Sequence, residues 1–233
     1  MTRARLLGLA LALLLLLAGC GGGGEEEGSA SLWITRDRGT RVLFRGEVPA
    51  GLTVMQALRR EADVDTRYGG RFVQAIDGVE GSLDKGRDWF YFVNGVSADR
   101  GAAEYRLHGG DIAWWDFRAW VGEPEVDIVV GAFPEPFLHG YAGHTRPAHV
   151  RYSATGDEAA ALRLARMIGA ATVTTTTTPV PPGANVLRIV PGRPDLRATR
   201  ESPEGPYVFT LSGRPERLAR NPESVRFRYE GLR

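Results

Sequence analysis

Apolar and polar positions alternate along much of the chain from residue 31 onward, and a period of two predicts strands. The first alternating stretch, Ser31–Phe44, is interrupted by Arg36-Asp37-Arg38-Gly39, which predicts a hairpin turn. The period becomes helical after Thr53, which has the spacing of a capping box with Gln56. Further strands are predicted at Arg71–Ile76, Asp88–Asn94, Glu104–Leu107 and Ile112–Trp120.

One helix beside four or five strands predicts an α+β domain over residues 31–120, most simply a β-grasp-like sheet wrapped around its helix. The run Trp89–Val93 is apolar on both faces, so we expect a central strand that is covered twice, once by the helix. Trp115 and Phe117 share one face of the last strand. These aromatic side chains predict either a small Trp-rich core or a binding surface, and the pattern leaves both open.

A second unit is predicted over residues 121–233, after the hinge-like sequence Val121-Gly122-Glu123-Pro124-Glu125. Its predicted strands lie at residues 126–130, 148–152, 172–178, 185–190, 207–211 and 224–229, and its predicted helices at 157–168 and 215–220. This order of elements predicts a small ferredoxin-like α/β domain, which we assign to no family.

The overall composition excludes several classes of function. The chain has 29 Lys and Arg against 28 Asp and Glu, a net charge of +1, so no basic excess indicates a nucleic-acid partner. A single cysteine excludes an intrachain disulfide and a Cys-rich metal site. The hydrophobic fraction of 43% is ordinary for a globular protein.

The amino terminus has the features of an export signal. Arg3 and Arg5 precede the apolar run Leu6–Leu17, which is too short to span a bilayer as a helix. The following Leu17-Ala18-Gly19-Cys20 resembles the lipobox of bacterial lipoproteins. This resemblance implies a signal peptide over residues 1–19, acylation of Cys20 and attachment to the extracytoplasmic face of the cell membrane. The alternative is an ordinary signal peptide with a chance cysteine.

Residues 20–30 are rich in Gly and Glu and predict a flexible tether between the lipid bilayer and the folded part of the chain. The rest of the sequence carries no catalytic signature. It lacks the Gly-x-Ser-x-Gly turn of a serine hydrolase and a phosphate-binding loop. His139, His144 and His149 recur every five residues, which does not place them on one helical face. We therefore predict no catalytic residue, no metal site, no required cofactor and no enzyme activity.

Three sequence motifs resemble the transcobalamin-like C-terminal domain, a module of bacterial surface proteins. They are Thr53–Leu58, Trp89–Gly95 with its Asn-Gly ending, and Gly109–Phe117. The resemblance covers residues 31–120 and implies a β-grasp-like domain that binds a small soluble ligand. In the animal proteins the similar domain closes over one face of bound cobalamin.

The resemblance implies five ligand-binding positions by motif alone: Trp89, Tyr91, Asn94, Trp115 and Phe117. For Asn94 a turn residue with positive φ is the favoured alternative. The chain has no room for the helical barrel of the animal proteins, so binding through one face would be weaker or would need a second protein.

We therefore predict a cell-surface lipoprotein that binds a small soluble ligand, with cobalamin or a related cofactor as the candidate. Delivery to a membrane transporter is the expected use. The alternative is a structural or protein-interaction lipoprotein of the cell envelope in which the aromatic side chains are buried.

Overall fold

The computed structural model of the chain describes residues 28–200, 202 and 205–232. Cys20, the predicted signal peptide and most of the predicted tether lie outside these residues. The described chain has an α+β fold made mostly of strands, arranged in three sheets with few helices. Within the described ranges, no helix has the length and apolar character needed to cross a bilayer.

The elements are numbered here in chain order. The strands are β1 (Ser29–Arg36), β2 (Arg41–Pro49), β3 (Val64–Arg67), β4 (Phe72–Ile76), β5 (Val79–Glu80), β6 (Arg87–Val93), β7 (Val96–Ser97), β8 (Ile112–Ala119), β9 (Ala148–Tyr152), β10 (Thr172–Thr175), β11 (Asn185–Val190), β12 (Asp195–Arg200) and β13 (Tyr207–Ser212). The helices are α1 (Val54–Glu61), α2 (Glu158–Met167) and α3 (Pro215–Arg220), and short 3₁₀ helices span Val130–Ala132, Thr155–Asp157 and Pro222–Val225.

The first sheet has the strand order β2-β1-β8-β6-β7. Its central pair, β1 and β8, is parallel, whereas the neighbouring pairs are antiparallel. Two tight turns close its hairpins. Asp37 and Arg38 both have positive φ at the β1–β2 turn, and Asn94 has a φ of 53° at the β6–β7 turn. The favoured interpretation of Asn94 as a turn residue with positive φ therefore agrees with the structure.

Helix α1 begins at the predicted capping box. The backbone N–H of Gln56 donates to Thr53 Oγ1 at 3.1 Å, and the N–H of Thr53 donates to Gln56 Oε1 at 2.8 Å. These bonds satisfy two donors that a helix start would otherwise leave unpaired. The helix packs Val54 and Leu58 against one face of the first sheet, as the apolar spacing predicts.

Strand β8 is buried on both of its faces. Trp115 belongs to the core under α1, whereas Trp114 lies on the opposite face in a core shared with the carboxyl-terminal part of the chain. There the ring of Trp114 lies 5.7 Å from that of Phe92 and 5.7 Å from that of Tyr229. The second cover that the apolar strand requires is thus supplied by Val129 and Ala132 together with Phe227 and Tyr229.

One carboxylate is sealed inside this shared core. Asp116 is fully buried and accepts four hydrogen bonds, from Thr35 Oγ1 at 2.6 Å, from the N–H groups of Arg38 and Gly39 at 3.1 Å each, and from the Tyr229 hydroxyl at 2.7 Å. Its donors come from strand β1, from the following turn and from the chain end. Asp116 therefore joins the first sheet to the carboxyl-terminal segment.

The ferredoxin-like prediction for the second unit is wrong. The second sheet has the order β10-β9-β11-β13-β12, and all of its pairs are parallel except β12 with β13. Parallel neighbours need a crossover, which α2 supplies between β9 and β10. Strand β12 was not predicted because its sequence is mostly polar, which is typical of an edge strand.

Several predicted strands also differ from the structure. The segments predicted at 104–107 and 126–130 form only isolated bridges, at Arg106 and Ile128. Residues 224–229 form no closing strand: Ser224 and Val225 belong to the 3₁₀ helix Pro222–Val225, and Phe227 and Tyr229 pack their rings against Trp114. A third, small sheet has the strand order β3-β4-β5, and its strand β4 lies next to β6.

We expect Asp116→Ala to lower the free energy of unfolding by roughly 3 kcal/mol or more, because three donors lose their acceptor at about 1–3 kcal/mol each, whereas the Thr35 hydroxyl can still donate to the carbonyl of Trp115 at 3.3 Å. Denaturant unfolding followed by tryptophan fluorescence measures this difference. Asp84→Ala, on an exposed loop, is the matched control and should change stability by less than about 0.5 kcal/mol. Tyr229→Phe is the milder variant and should lose part of the same energy. Equal unfolding midpoints for Asp116→Ala and Asp84→Ala would contradict this role.

Candidate functional site

A cleft opens beside β6, where the first sheet is incompletely covered. It has a volume of about 240 Å³. Its floor consists of Trp89, Tyr91 and Trp115, and the start of β4, at Phe72 and Val73, forms one wall. The lining is mostly apolar, which suits the apolar part of a small ligand.

The aromatic floor of the cleft is a packed layer of rings. The rings of Tyr91 and Trp115 lie 4.9 Å apart and are inclined by 31°, and this arrangement resembles offset stacking. Trp89 is held by a hydrogen bond from Nε1 to the carbonyl of Val79 at 2.8 Å. Trp89 and Trp115 are only 5% and 3% exposed, so the cleft reaches their edges and not their full faces.

The wall opposite β4 is the segment Ser97–Ala102. The N–H of Ala98 donates to the carbonyl of Tyr91 at 3.2 Å, and the Tyr91 hydroxyl donates to the carbonyl of Arg100 at 2.6 Å. At the far end, the N–H of Met55 donates to the carbonyl of Ala102 at 2.9 Å. Both ends of this wall are therefore fixed, and the cleft is pre-formed.

Polar groups are few around the cleft. Arg71 is an exposed cation on the lining. Trp115 Nε1 is buried and has no hydrogen-bond partner among the described residues, so one indole donor beside the cleft is unused. Burial raises the pKa of Tyr91 above its ordinary value of 10.0, and nearby Tyr141 and Asp99 add to this increase. The site therefore offers aromatic edges and one guanidinium, while the unused Trp115 N–H lies buried behind them.

Three of the five residues predicted from the motifs lie together at the cleft: Trp89, Tyr91 and Trp115. The other two do not. Asn94 is fully buried, and its amide donates to Asp111 Oδ1 at 2.7 Å and to the carbonyl of Gly140 at 2.9 Å. Its Oδ1 accepts from the N–H of Ile112 at 2.8 Å, so all of its polar atoms bond within the protein.

Phe117 is also a core residue and not a lining residue. Its ring is 5.2 Å from that of Trp89, and the guanidinium groups of Arg36 and Arg87 lie 5.5 and 4.9 Å from its centroid. The expected ligand contacts of Asn94 and Phe117 therefore do not agree with their positions. Alternation places Phe117 and Trp115 on one face, but only the tertiary packing decides which of them reaches an opening.

Sequence reasoning missed two parts of the cleft. Phe72 and Val73 come from a strand outside the aromatic motifs, and Ala98 and Ala102 come from a loop. Phe72 alone had a usable signal, a large aromatic side chain near the start of a predicted strand, and the structure leaves it 37% exposed. The alanines carry no sequence signal, because they contribute to the cleft only by having small side chains that leave it open.

A second hollow adjoins the cleft across Phe72. It measures about 210 Å³, and Tyr68 and Leu83, which are 79% and 76% exposed, lie on its lining. Burial raises the pKa of Asp88 in this hollow, although the N–H of Trp89 and the charge of Arg67 act in the opposite direction. The two hollows together give this side of the first sheet an apolar surface.

The histidines at 139, 144 and 149 make separate contacts: His149 lies in β9, and the N–H of His144 donates to the carbonyl of Tyr141 at 3.0 Å. His139 Nδ1 lies 2.6 Å from Glu135 Oε1, and His149 Nδ1 lies 2.6 Å from Thr172 Oγ1. Among the residues that the structure describes, no group of three or more His, Cys, Asp or Glu side chains is arranged to hold a metal ion.

Comparison with known proteins places a family domain inside the predicted first unit. Residues 51–119 match the family Domain of unknown function (DUF4430), from the loop before α1 to β8. The chain is similar to the "putative metal binding protein" of Ruminococcus gnavus ATCC 29149, at 14% identity over 40% of this chain and 99% of that chain, with a TM-score of 0.33. It is also similar to haptocorrin in complex with Cbi, at 12% identity over 45% of this chain, with a TM-score of 0.34. The chain spans 28% of the haptocorrin chain. No curated protein matches the sequence.

We expect the free energy of unfolding to fall as the pH rises above about 10. The pKa of Tyr91 is higher in the folded protein than in the unfolded chain, so the unfolded chain loses this proton first and is favoured as the pH rises. The contribution is complete below pH 10 and is lost as the pH rises toward the folded pKa. Unfolding midpoints measured between pH 8 and pH 11.5 should show this decline, and Tyr91→Phe should make it shallower. An unchanged slope in Tyr91→Phe would contradict the assignment to Tyr91.

Proposed function

We propose that this protein is an extracytoplasmic lipoprotein that binds a small soluble ligand in the cleft beside β6. The observation that supports this function is the convergence of Trp89, Tyr91 and Trp115 on one pre-formed opening. Aromatic rings held by a rigid sheet bind flat or apolar groups without paying a large ordering cost.

The dimensions of the cleft limit how a ligand binds. Pockets that enclose drug-sized molecules have volumes of roughly 300–1,000 Å³. At about 240 Å³ the cleft accepts one ring or one edge of a larger molecule. The remainder of such a ligand lies over Phe72 toward the second hollow, or faces solvent or a second protein.

A corrinoid is the first candidate ligand, on the basis of the resemblance of the three sequence motifs to the transcobalamin-like domain. In this hypothesis, an edge of the corrin or its nucleotide base enters the cleft, and a membrane transporter receives the ligand. A cleft that encloses only part of a corrinoid implies modest affinity.

Tryptophan fluorescence tests both the site and the ligand class. We expect cyanocobalamin to quench the fluorescence of the purified Cys20→Ser protein saturably, after correction for inner-filter absorption. 8-Anilinonaphthalene-1-sulfonate serves as a second flat probe that does not depend on the corrinoid hypothesis. Ala98→Leu fills the cleft and should weaken the binding of either probe at least about tenfold, or 1.4 kcal/mol.

Ala103→Leu is the matched control, because Ala103 is exposed and does not line the cleft. It should bind both probes like the parent protein. Absence of saturable quenching by cyanocobalamin at millimolar concentration would exclude the corrinoid. Equal binding of the naphthalene probe to the parent protein and to Ala98→Leu would exclude the cleft itself.

A structural or protein-interaction lipoprotein is the second candidate. It is favoured by the deep burial of Trp33, Trp114 and Trp115, which act mainly as core. It is also favoured by the exposed Tyr68 and Leu83 beside the second hollow, since exposed apolar groups cluster at protein contacts. In this case the apolar surface across Phe72 is the contact area.

Membrane attachment is a separate part of the proposal. The parent protein expressed in a bacterium should partition into the detergent phase of a Triton X-114 extract, because two or three acyl chains give stable anchoring. Cys20→Ser should move to the aqueous phase or remain uncleaved. Identical partitioning together with an identical processed mass of the parent and the Cys20→Ser protein would rule out acylation at this residue.

A further inference from the structure

The cleft beside β6 has charge of one sign only. Among the described residues that line it, Arg71 is the one charged side chain, and none is Asp or Glu. Arg71 comes directly before β4 and is exposed to solvent. Asp88 lines the second hollow and Glu104 lies beside Gly101, but neither of these carboxylates lines the cleft. The lining therefore carries one positive charge and no negative charge.

The guanidinium of Arg71 is unpaired within the described part of the chain. It makes no hydrogen bond and no ion pair with another described residue. Arginines on either side of the cleft differ in this respect. Arg67, on the second hollow, lies 3.5 Å from Glu80. Arg100, in the opposite wall, lies 2.8 Å from Asp99. Arg71 is thus available to a group that the ligand supplies.

Most of the other donors at the cleft are already used. The Tyr91 hydroxyl donates to the carbonyl of Arg100 at 2.6 Å, and Trp89 Nε1 donates to a backbone carbonyl at 2.8 Å. Ser97 also lines the cleft, and its hydroxyl has no hydrogen bond to another described residue. Arg71 and Ser97 are therefore the side chains left to orient a bound molecule, and both can donate to an anion.

Ligands of different charge meet this lining differently. A cation would face the guanidinium with no carboxylate on the lining to offset the repulsion. A neutral ring would gain apolar contact and leave Arg71 in water. An anionic ring gains the same apolar contact and, in addition, a charge-assisted hydrogen bond, which is stronger than one between neutral groups. The lining therefore favours negative charge on the ligand.

We propose that the ligand of this cleft is a flat ring that carries an oxyanion, with Arg71 as the residue that binds the anionic group. This inference rests on the proposed function of the cleft. The ring enters beside Trp89, Tyr91 and Trp115, where a volume of about 240 Å³ accepts one ring system. Carboxylate, sulfonate and phosphate share the chemistry that a guanidinium recognises, because each accepts two parallel N–H bonds.

Two probes with the same ring test the charge preference. Isothermal titration calorimetry of the purified Cys20→Ser protein at neutral pH compares indole-3-acetate with indole-3-acetamide. We expect the anion to bind about fivefold more tightly than the neutral amide, which is the upper range for a solvent-exposed ion pair. The preference should shrink as sodium chloride is raised toward about 1 M, where the Debye length is about 3 Å.

Arg71→Gln tests the same contact from the protein side. Arg71 is exposed and unpaired among the described residues, so the variant should keep the circular dichroism spectrum of the parent. We expect the affinity for indole-3-acetate to fall about fivefold, to that of the amide, while the affinity for the amide is unchanged. Arg71→Lys keeps the charge and should retain part of the preference. Arg163→Gln, on the exposed side of α2 and away from the cleft lining, is the matched control and should bind both probes like the parent.

The outcomes separate this inference from the proposed function. Equal binding of the two indole probes to the parent protein, or the same preference in Arg71→Gln, would overturn the anion contact and leave binding in the cleft intact. If neither indole probe binds, 8-anilinonaphthalene-1-sulfonate decides. Equal affinity of this sulfonate for the parent and for Arg71→Gln would overturn the contact alone. Equal affinity for the parent and for Ala98→Leu would overturn the cleft, and the inference with it.

Discussion

The structure depends on the burial of β8 from both sides. The neighbouring strands β1 and β6 bond to the edges of β8 and do not cover its faces. Trp114 and Trp115 point to opposite faces, so each face needs its own apolar layer above it. Helix α1 supplies one layer, and the segment 129–132 together with the carboxyl-terminal residues Phe227 and Tyr229 supplies the other. Asp116 lies in the second layer, and a carboxylate at zero exposure is tolerable only because four donors surround it. The packing of the sheet and the docking of the carboxyl-terminal segment are therefore one interaction.

This constraint also explains the position of the candidate site. Cover is complete around β8, at the centre of the sheet, and incomplete beside β6, where the short β7 pairs only with Phe92 and Val93. The remaining edge of β6 is flanked by β4 and by the segment Ser97–Ala102, which leave the cleft between them. The same rings thus form core on one edge and line the cleft on the other. The two candidate functions differ only in which of these roles is primary.

The junction of the two sheets has a different character. Cores on either side of it are apolar, but the junction groove combines polar backbone edges with paired charges. Edge strands in isolated domains are usually blocked by charge, and β12 carries arginines at residues 197 and 200. Here the edge borders a groove whose other side is the segment Pro124–Ile128.

The sequence alone determined the local elements whose signals are local. The Thr53–Gln56 capping box, the Asn94-Gly95 turn and the helix of residues 158–167 follow from side chains within a few positions of one another. Alternation also identified the aromatic strands and the faces of Trp89, Tyr91 and Trp115. The tertiary structure alone decided which faces were covered, because Tyr229 reaches Asp116 across 113 positions of sequence. It decided that the second sheet is mainly parallel, and that Phe117 and Asn94 are core while Phe72 and Ala98 form walls of the cleft. An opening is the space between distant segments, and no period within one segment encodes it.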